Sequence, residues 1–370
     1  MTTRRQFVTG LAAAAGAAAT AAPSFAAPAV HTEKKFKWRM AMTWPKVLPG
    51  FGTGATRLAE RITTLTEGRI EIQVYGAGEL VPPLGVFDAV SDGTIECAHG
   101  APYYWMSKNR SFAFFAAVPG GLLAQEQNGW IYFDDGLKLW HELAAPFNII
   151  PFPAGNTGVQ MGGWFRKKLE TLDDLKGLKM RIPGLGGEII TKLGGNPQTI
   201  PGGELFTSLQ SGVIDATEWV GPWNDMALGF HRIADYYYGP GFHEGGTLLE
   251  FMINKDAYEA LPTELQLIVK GACATENMLM HAEYTANNAR AFAELQKVET
   301  LTMAPYPDEI LKAFFEVAND TLAETANLGD INKRIYESFA RFRQQCMNYG
   351  KVSDFAFMKG RYLSMNQPVC

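Results

Sequence analysis

Between Asn156 and Asp225 the chain carries NTGVQMGGWF, DLKGLKMRIPG and GGELFTSLQSGVIDATEWVGPWND, which set an arginine, Arg181, and a glutamate, Glu218, beside Gln160 and Trp219. A guanidinium presents its donors in a rigid fork that fits a carboxylate, so this combination reads as a site for a small anion. A glutamate there repels the anion unless a cation offsets it, which points to a bound metal. His99, His141, His231, His243 and His281 show no paired metal spacing and no H-E-x-x-H pattern. The PGLGG run, Pro183 to Gly187, lacks the Lys-Ser/Thr of a phosphate loop and the full dinucleotide spacing. It reads as a turn feeding a helix whose N-terminus can help hold the anion.

The elements that must position these residues are legible in the hydrophobic pattern. Phe36 to Trp44 alternates with the period of a half-buried strand; Ala55, Leu58, Ala59, Ile62 and Leu65 then share a helical face, with Gly68 as the stop. Arg69 to Tyr75 is a second strand, and the order strand, helix, strand fits a parallel α/β layer. The segment 86–100, VFDAVSDGTIECAHG, echoes 205–219, LFTSLQSGVIDATEW, with Phe87 on Phe206, Gly93 on Gly212 and Ile95 on Ile214. Each reads as helix, glycine stop and short strand. Cys97 to Gly100 and Thr217 to Trp219 then become carboxyl ends of equivalent strands in two facing lobes, where open α/β sheets bind ligands. Ala101-Pro102-Tyr103-Tyr104-Trp105 and Gly221-Pro222-Trp223 follow them and give the cleft two aromatic walls.

From Thr263 to Leu301 there is no proline and only one glycine, Gly271, so a helix of about 39 residues and about 58 Å is expected, long enough to brace both lobes. Helices are expected over 307–327 and 331–349, followed by an aromatic end with Phe355, Phe357, Tyr362 and Leu363. Two readings of this tail stand: a homodimer held by C-terminal helices, or helices packed back on their own lobe. The domain plan is 1–26 signal, 30–155 lobe I with a return segment near 243–260, 156–242 lobe II, 262–301 connecting helix and 302–370 C-terminal helices.

The start, MTTRRQFVTGLAAAAGAAATAAPSFAAPA, has the twin arginine, Arg4 and Arg5, and the Ala/Gly-rich run of a Tat export signal, with cleavage after about Ala26. A soluble periplasmic protein is expected. A net charge of −5 without a basic stripe argues against nucleic acid as a partner. Cys97, Cys273, Cys346 and Cys370 show no metal spacing; Cys97 and Cys273 read as core, Cys346 and Cys370 could pair, and no essential disulfide is expected.

The long motifs LVPPLGVFDAVSDGTIECAHG, NTGVQMGGWFRKKLETLDDLKGLKMRIPGLGGEIITKLGG and GGELFTSLQSGVIDATEWVGPWND together resemble the solute-binding subunit of tripartite ATP-independent periplasmic (TRAP) transporters, over nearly the whole mature chain. That resemblance implies an α/β, two-lobed periplasmic binding protein that closes on an organic acid, with no catalytic role. The arginine after DLKG, here Arg181, then holds the substrate carboxylate. The ATEWVGP form resembles the alpha-keto acid-binding branch, which implies a cation held by Glu218, the Gln160 amide, the Trp219 carbonyl and the ligand's carboxylate and oxo oxygens.

These hard oxygen donors suit Na+ or Ca2+. One protein carboxylate favours Na+; Ca2+ is accommodated if Glu244 in GFHEGG also points inward. Tyr103 and Tyr104 are expected contacts from the first lobe, and Trp223 and Phe242 are weaker candidates for the apolar end of the pocket. The function implied is capture of a short 2-oxo monocarboxylate such as pyruvate for delivery to a membrane permease. The alternatives are lactate-like 2-hydroxy acids, dicarboxylates, or a Tat-exported enzyme.

Overall fold

The computed structural model describes residues 34–365, so the signal segment and Cys370 lie outside the described residues. In chain order, β1 (Phe36–Met42), α1 (Phe51–Leu65), β2 (Ile70–Tyr75), α2 (Val86–Ser91) and β3 (Cys97–Gly100) begin lobe I, and α3 (Ala124–Phe133), α4 (Gly136–Ala144) and β4 (Ile149–Asn156) complete its first pass. The chain then crosses into β5 (Gly163–Phe165), β6 (Lys179–Arg181), α5 (Gly184–Lys192), β7 (Asn196–Gln198), α6 (Leu205–Ser211), β8 (Ala216–Thr217), α7 (Pro222–Leu228) and β9 (Tyr236–Gly239). It returns as β10 (Leu248–Asn254) and α8 (Lys255–Glu259), and continues as α9 (Thr263–Leu295), β11 (Thr302–Pro305), α10 (Asp308–Glu324), α11 (Asp330–Gly350) and α12 (Asp354–Ser364).

The two sheets run β2-β1-β3-β10-β4 and β11-β9-β5-β8-β6-β7. In each, three parallel strands adjoin one antiparallel strand supplied after the chain has crossed between lobes: β10 beside β3 and β4, β5 beside β8 and β9. The echo of 86–100 in 205–219 is therefore architectural. Both helices stop on a left-handed glycine, Gly93 at φ 78° and Gly212 at φ 77°, a conformation that costs a residue without Cβ little. The return segment expected near 243–260 is β10, whose residues are all buried.

The long helix is shorter than expected. It ends at Leu295, because the chain must turn through 296–301 to lay β11 parallel to β9 at the edge of the lobe II sheet. No glycine or proline marks that stop. Its brace is built from named pairs: Arg57 of α1 makes a forked ion pair with the buried Glu276, and Tyr284 Oη donates to Asn224 Oδ1 of α7 at 3.1 Å. Asn288 Oδ1 accepts the Trp223 amide at 3.0 Å, so one rigid element is fastened to both lobes.

The tail is not a separate helical region. β11 and α10 complete lobe II, where Ile310, Phe314 and Ala318 join its core, and α11 closes lobe I, burying Ile335 and setting Phe339 against Phe114 and Trp130. Helix α12, by contrast, is exposed along its whole length, with no buried residue. Cys97 and Cys273 are buried free thiols, as expected of core cysteines, and Cys346 is free. No helix among the described residues is long and apolar enough to cross a membrane.

Candidate functional site

Arg181 closes β6, and Glu218 follows β8, its parallel neighbour, so the two face one another at adjacent carboxyl ends. The Glu218 amide donates to the Arg181 carbonyl at 3.2 Å. Arg181 Nη1 pairs with Glu218 Oε1, Nε donates to the Ile200 carbonyl at 3.1 Å, and Nη2 reaches Tyr104 Oη of lobe I at 3.4 Å. Its guanidinium also lies 5.0 Å over the Trp219 ring. Both charged side chains are 1% exposed. Burial, the largest single influence, pulls the guanidinium towards its neutral form, but the Glu218 charge together with Tyr104 and Tyr103 outweighs it and raises the pKa above the ordinary value.

Gln160 and Glu244 come from the two segments that cross between lobes. Their backbones pair, the Gln160 amide donating to the Glu244 carbonyl at 3.2 Å and the Gly241 amide to the Gln160 carbonyl at 2.7 Å. The Gln160 side chain has a fixed orientation. Thr157 donates its only hydroxyl proton to the Gly158 carbonyl at 3.0 Å, so towards Gln160 it can only accept, and Gln160 Nε2 donates to it at 3.1 Å and to Thr247 Oγ1 at 2.9 Å. Gln160 Oε1 is thereby turned away from both hydroxyls, buried and without a donor, and Glu244 Oε2 is in the same condition. Two buried acceptors lacking donors are what a hard cation would satisfy, so the residues present fit such an ion.

Glu244 is 3% exposed rather than a solvated loop residue. Burial first, and the Glu218 charge second, hold its carboxyl well above the ordinary range. Ligand atoms of Glu218, His243 and Glu244 lie within 4.8 Å of one another, and His243 Nε2 is 3.2 Å from Glu218 Oε2. His243 was passed over in the sequence for want of a second spaced histidine. The available signal was its adjacency to Glu244 at the return crossing.

Of the aromatic candidates, Tyr103 and Tyr104 stand at the lobe boundary: a Cβ on Gly184 of α5 would lie 3.4 Å from Tyr103, so the start of α5 abuts lobe I there. The glycine-rich run does open a helix, as read from sequence. The other aromatic candidates have packing partners of their own. Trp105 turns into lobe I, donating its indole N–H to Glu250; Trp223 packs on Tyr284 at 5.2 Å; and Phe242 stacks on Phe314 at 3.8 Å in the lobe II core. Each ring is taken by its own lobe or by the long helix.

The comparisons with known proteins agree with this architecture. Residues 40–327 match the family described as bacterial extracellular solute-binding protein, family 7. The chain is 44% identical over 321 residues, 87% of this chain and 88% of the other, to a monocarboxylate 2-oxoacid-binding periplasmic protein of Nostoc sp.. A TRAP periplasmic solute-binding protein from Pseudoalteromonas atlantica T6c, solved with bound sodium and pyruvate, superposes with a TM-score of 0.85 at 39% identity, covering 88% of this chain and 99% of that one. A TRAP transporter solute-binding protein from Bordetella bronchiseptica RB50, a mixed-occupancy dimer with copurified calcium and picolinate, superposes with a TM-score of 0.87 at 37% identity, covering 90% and 98%. With two facing sheets of matching topology, a charged site at their boundary and a family match across most of its length, this chain belongs to the family 7 extracellular solute-binding proteins, the solute receptors of TRAP transporters.

Proposed function

We propose that this receptor works in the periplasm, closing over a short 2-oxo monocarboxylate such as pyruvate together with one cation and delivering it to the membrane permease subunits of a TRAP transporter. The observation that carries the reading is the surplus of buried acceptors, Gln160 Oε1 and Glu244 Oε2, enclosed with Glu218 around a single arginine. An anionic ligand alone would enlarge that surplus; an anionic ligand chelated to a hard cation removes it. In this reading Arg181 holds the ligand carboxylate, and Tyr104, with Tyr103 beside it, covers it from lobe I. Gln160, Glu218 and the Trp219 carbonyl hold the cation, which would supply positive charge to the ligand's carboxylate and oxo oxygens.

Charge supports Na+ as the resident ion. Glu218 and the ligand carry two negatives against Arg181 and Na+, with Glu244 neutral; Ca2+ is balanced once Glu244 ionises. Among the described residues Arg181 is the only buried arginine or lysine, which favours a monocarboxylate over a dicarboxylate whose second charge would be unpaired. The likeness to receptors with bound pyruvate and with a 2-oxoacid in their names supports the same ligand class. The exposed apolar α12, with Phe355, Phe357 and Leu363 in solvent, supports a homodimer through this helix.

Isothermal titration of cation-depleted protein with pyruvate over a range of Na+ and Ca2+ concentrations tests the site. Affinity should rise with cation and the ligand should be recovered unchanged. Binding indifferent to cation, no binding at any cation concentration, or turnover of pyruvate would overturn the reading.

A further inference from the structure

Three consecutive backbone carbonyls leave β8 towards α7, and two are already committed. The Glu218 carbonyl accepts Thr217 Oγ1 at 2.9 Å and Arg181 Nη1 at 3.3 Å, and the Val220 carbonyl accepts the Met161 amide at 2.9 Å. Between them, the Trp219 carbonyl accepts no hydrogen bond from the described residues. Its direction is nevertheless fixed, through the other end of the same peptide unit. The Val220 N–H donates to Asp225 Oδ1 at 3.1 Å, and in a trans peptide C=O and N–H point opposite ways, so the Trp219 carbonyl is turned away from Asp225.

Asp225 is itself clamped. Its Oδ1 also accepts the Gly221 amide at 3.1 Å, while Oδ2 accepts the Trp164 indole N–H at 2.9 Å and the Tyr237 hydroxyl at 2.8 Å. The carboxyl is 1% exposed, and Trp164 of β5 and Tyr237 of β9 stack at 4.0 Å. A helix cap needs only the Oδ1 half of this arrangement, since the amides of Val220 and Gly221 are the donors left over at the start of α7. The Oδ2 half ties the cap to two strands of the lobe II sheet and removes the freedom of the carboxyl to swing.

We propose that Asp225 is a positioning residue for the cation: held by Trp164 and Tyr237, it grips the Val220 amide and so aims and polarises the Trp219 carbonyl as a cation ligand. This rests on the proposed assignment of Gln160, Glu218 and Trp219 to the cation. The polarisation follows from cooperativity along hydrogen-bonded chains, in which an acceptor on N–H makes the carbonyl oxygen of that peptide more negative. Asp225 touches neither ligand nor cation.

The test is Asp225→Asn, in which an acceptor oxygen becomes an amide nitrogen that cannot accept from the backbone pair or the indole N–H and finds an acceptor only in the Tyr237 hydroxyl. The cation concentration giving half-maximal pyruvate binding should rise by roughly 10- to 100-fold, the usual effect of losing a group that orients a metal ligand, with pyruvate affinity recovering at saturating cation. A variant with a lowered melting temperature but an unchanged cation requirement would reduce Asp225 to a cap and overturn the proposal. Wild-type binding that ignores cation would instead sink the underlying site, and this proposal with it.

A second readout does not depend on the variant folding. Trp219 is the only tryptophan followed by valine, so carbonyl-labelled tryptophan with amide-nitrogen-labelled valine gives one carbonyl–amide cross-peak, for the 219–220 peptide. A low-field amide proton, and a carbonyl resonance that moves when Na+ and pyruvate are added together, support the proposal. A cross-peak unmoved by saturating Na+ and pyruvate overturns it.

Discussion

In the proposed site Arg181 has two tasks that separate by substitution: beside its pairing with Glu218, it would present a fork to the ligand. Arg181→Lys keeps the charge but loses the bidentate geometry, whereas Arg181→Met also leaves Glu218 buried without its partner. Titration calorimetry should show pyruvate affinity falling by roughly two to three orders of magnitude for Met and by less for Lys; equal affinity in Met and wild type would remove Arg181 from the site. Glu244→Gln fixes that side chain in a neutral form, so binding supported by Na+ should persist while binding supported by Ca2+ weakens about tenfold, measured by the same titrations. Glu250 gives a prediction on stability. Burial lifts its carboxyl to about 8, with the Trp105 indole bond opposing, so the folded state holds a proton that the unfolded chain releases above about pH 4. Stability from this group is therefore complete at low pH and is lost as pH rises towards 8. In Glu250→Gln, which can still accept from Trp105, that loss disappears, and melting curves of the two proteins should diverge between pH 5 and 8 by on the order of 2 kcal/mol.

At the level of elements, the reach of sequence reasoning depended on whether a segment's fate was set locally. The helix–glycine–strand units ending at Gly100 and Thr217 were legible because Gly93 and Gly212 mark their stops, and Glu218 follows directly on the second, whereas Arg181 was read from the DLKGLKMRIPG motif. The end of α9 at Leu295 was not legible, since it is imposed by the pairing of Thr302–Pro305 with Tyr236–Gly239, a contact between segments far apart in the chain. For the same reason Trp105 and Trp223 read as cleft walls, and Phe242 as the apolar end of the pocket, although tertiary partners pack against them, and Asp225 and His243 went unnoticed because their partners, Trp164, Tyr237 and Glu218, lie on distant segments. Gly163 shows how closely an element can be coupled to the site. It opens β5 at φ +126°, and a Cβ there would lie 2.7 Å from the Thr217 carbonyl and 3.2 Å from Glu218 Cα. Gly163→Ala should push the end of β8 outward, lowering stability by about 1–3 kcal/mol in denaturant unfolding and weakening pyruvate binding in parallel. Unchanged binding would mean that Glu218 is held independently of β5.

On the scale of the whole molecule, the C-terminal region divides: one helix packs back on its own lobe, and another is left exposed. Helix α11 belongs to lobe I: Trp130 Nε1 donates to Ser338 Oγ at 3.1 Å, and Phe339 sits edge-on to Trp130 at 5.3 Å and to Phe114 at 5.0 Å. Ending the chain after Leu328 would therefore strip the lobe I core and could not report on assembly. Helix α12 is different, because Phe355, Phe357 and Leu363 are each more than 60% exposed, with Met358 and Tyr362 beside them on a helix that buries nothing of its own. That much exposed apolar surface on one short helix supports the proposed dimer interface. A chain ended after Ser353 keeps every residue of both cores, so it should fold, bind pyruvate as the full chain does and sediment as a monomer, while the full-length chain sediments as a dimer. Sedimentation velocity of both at matched concentrations decides the matter: a dimer that survives the loss of 354–370 must use another face, and a full-length monomer would leave α12 for some other partner.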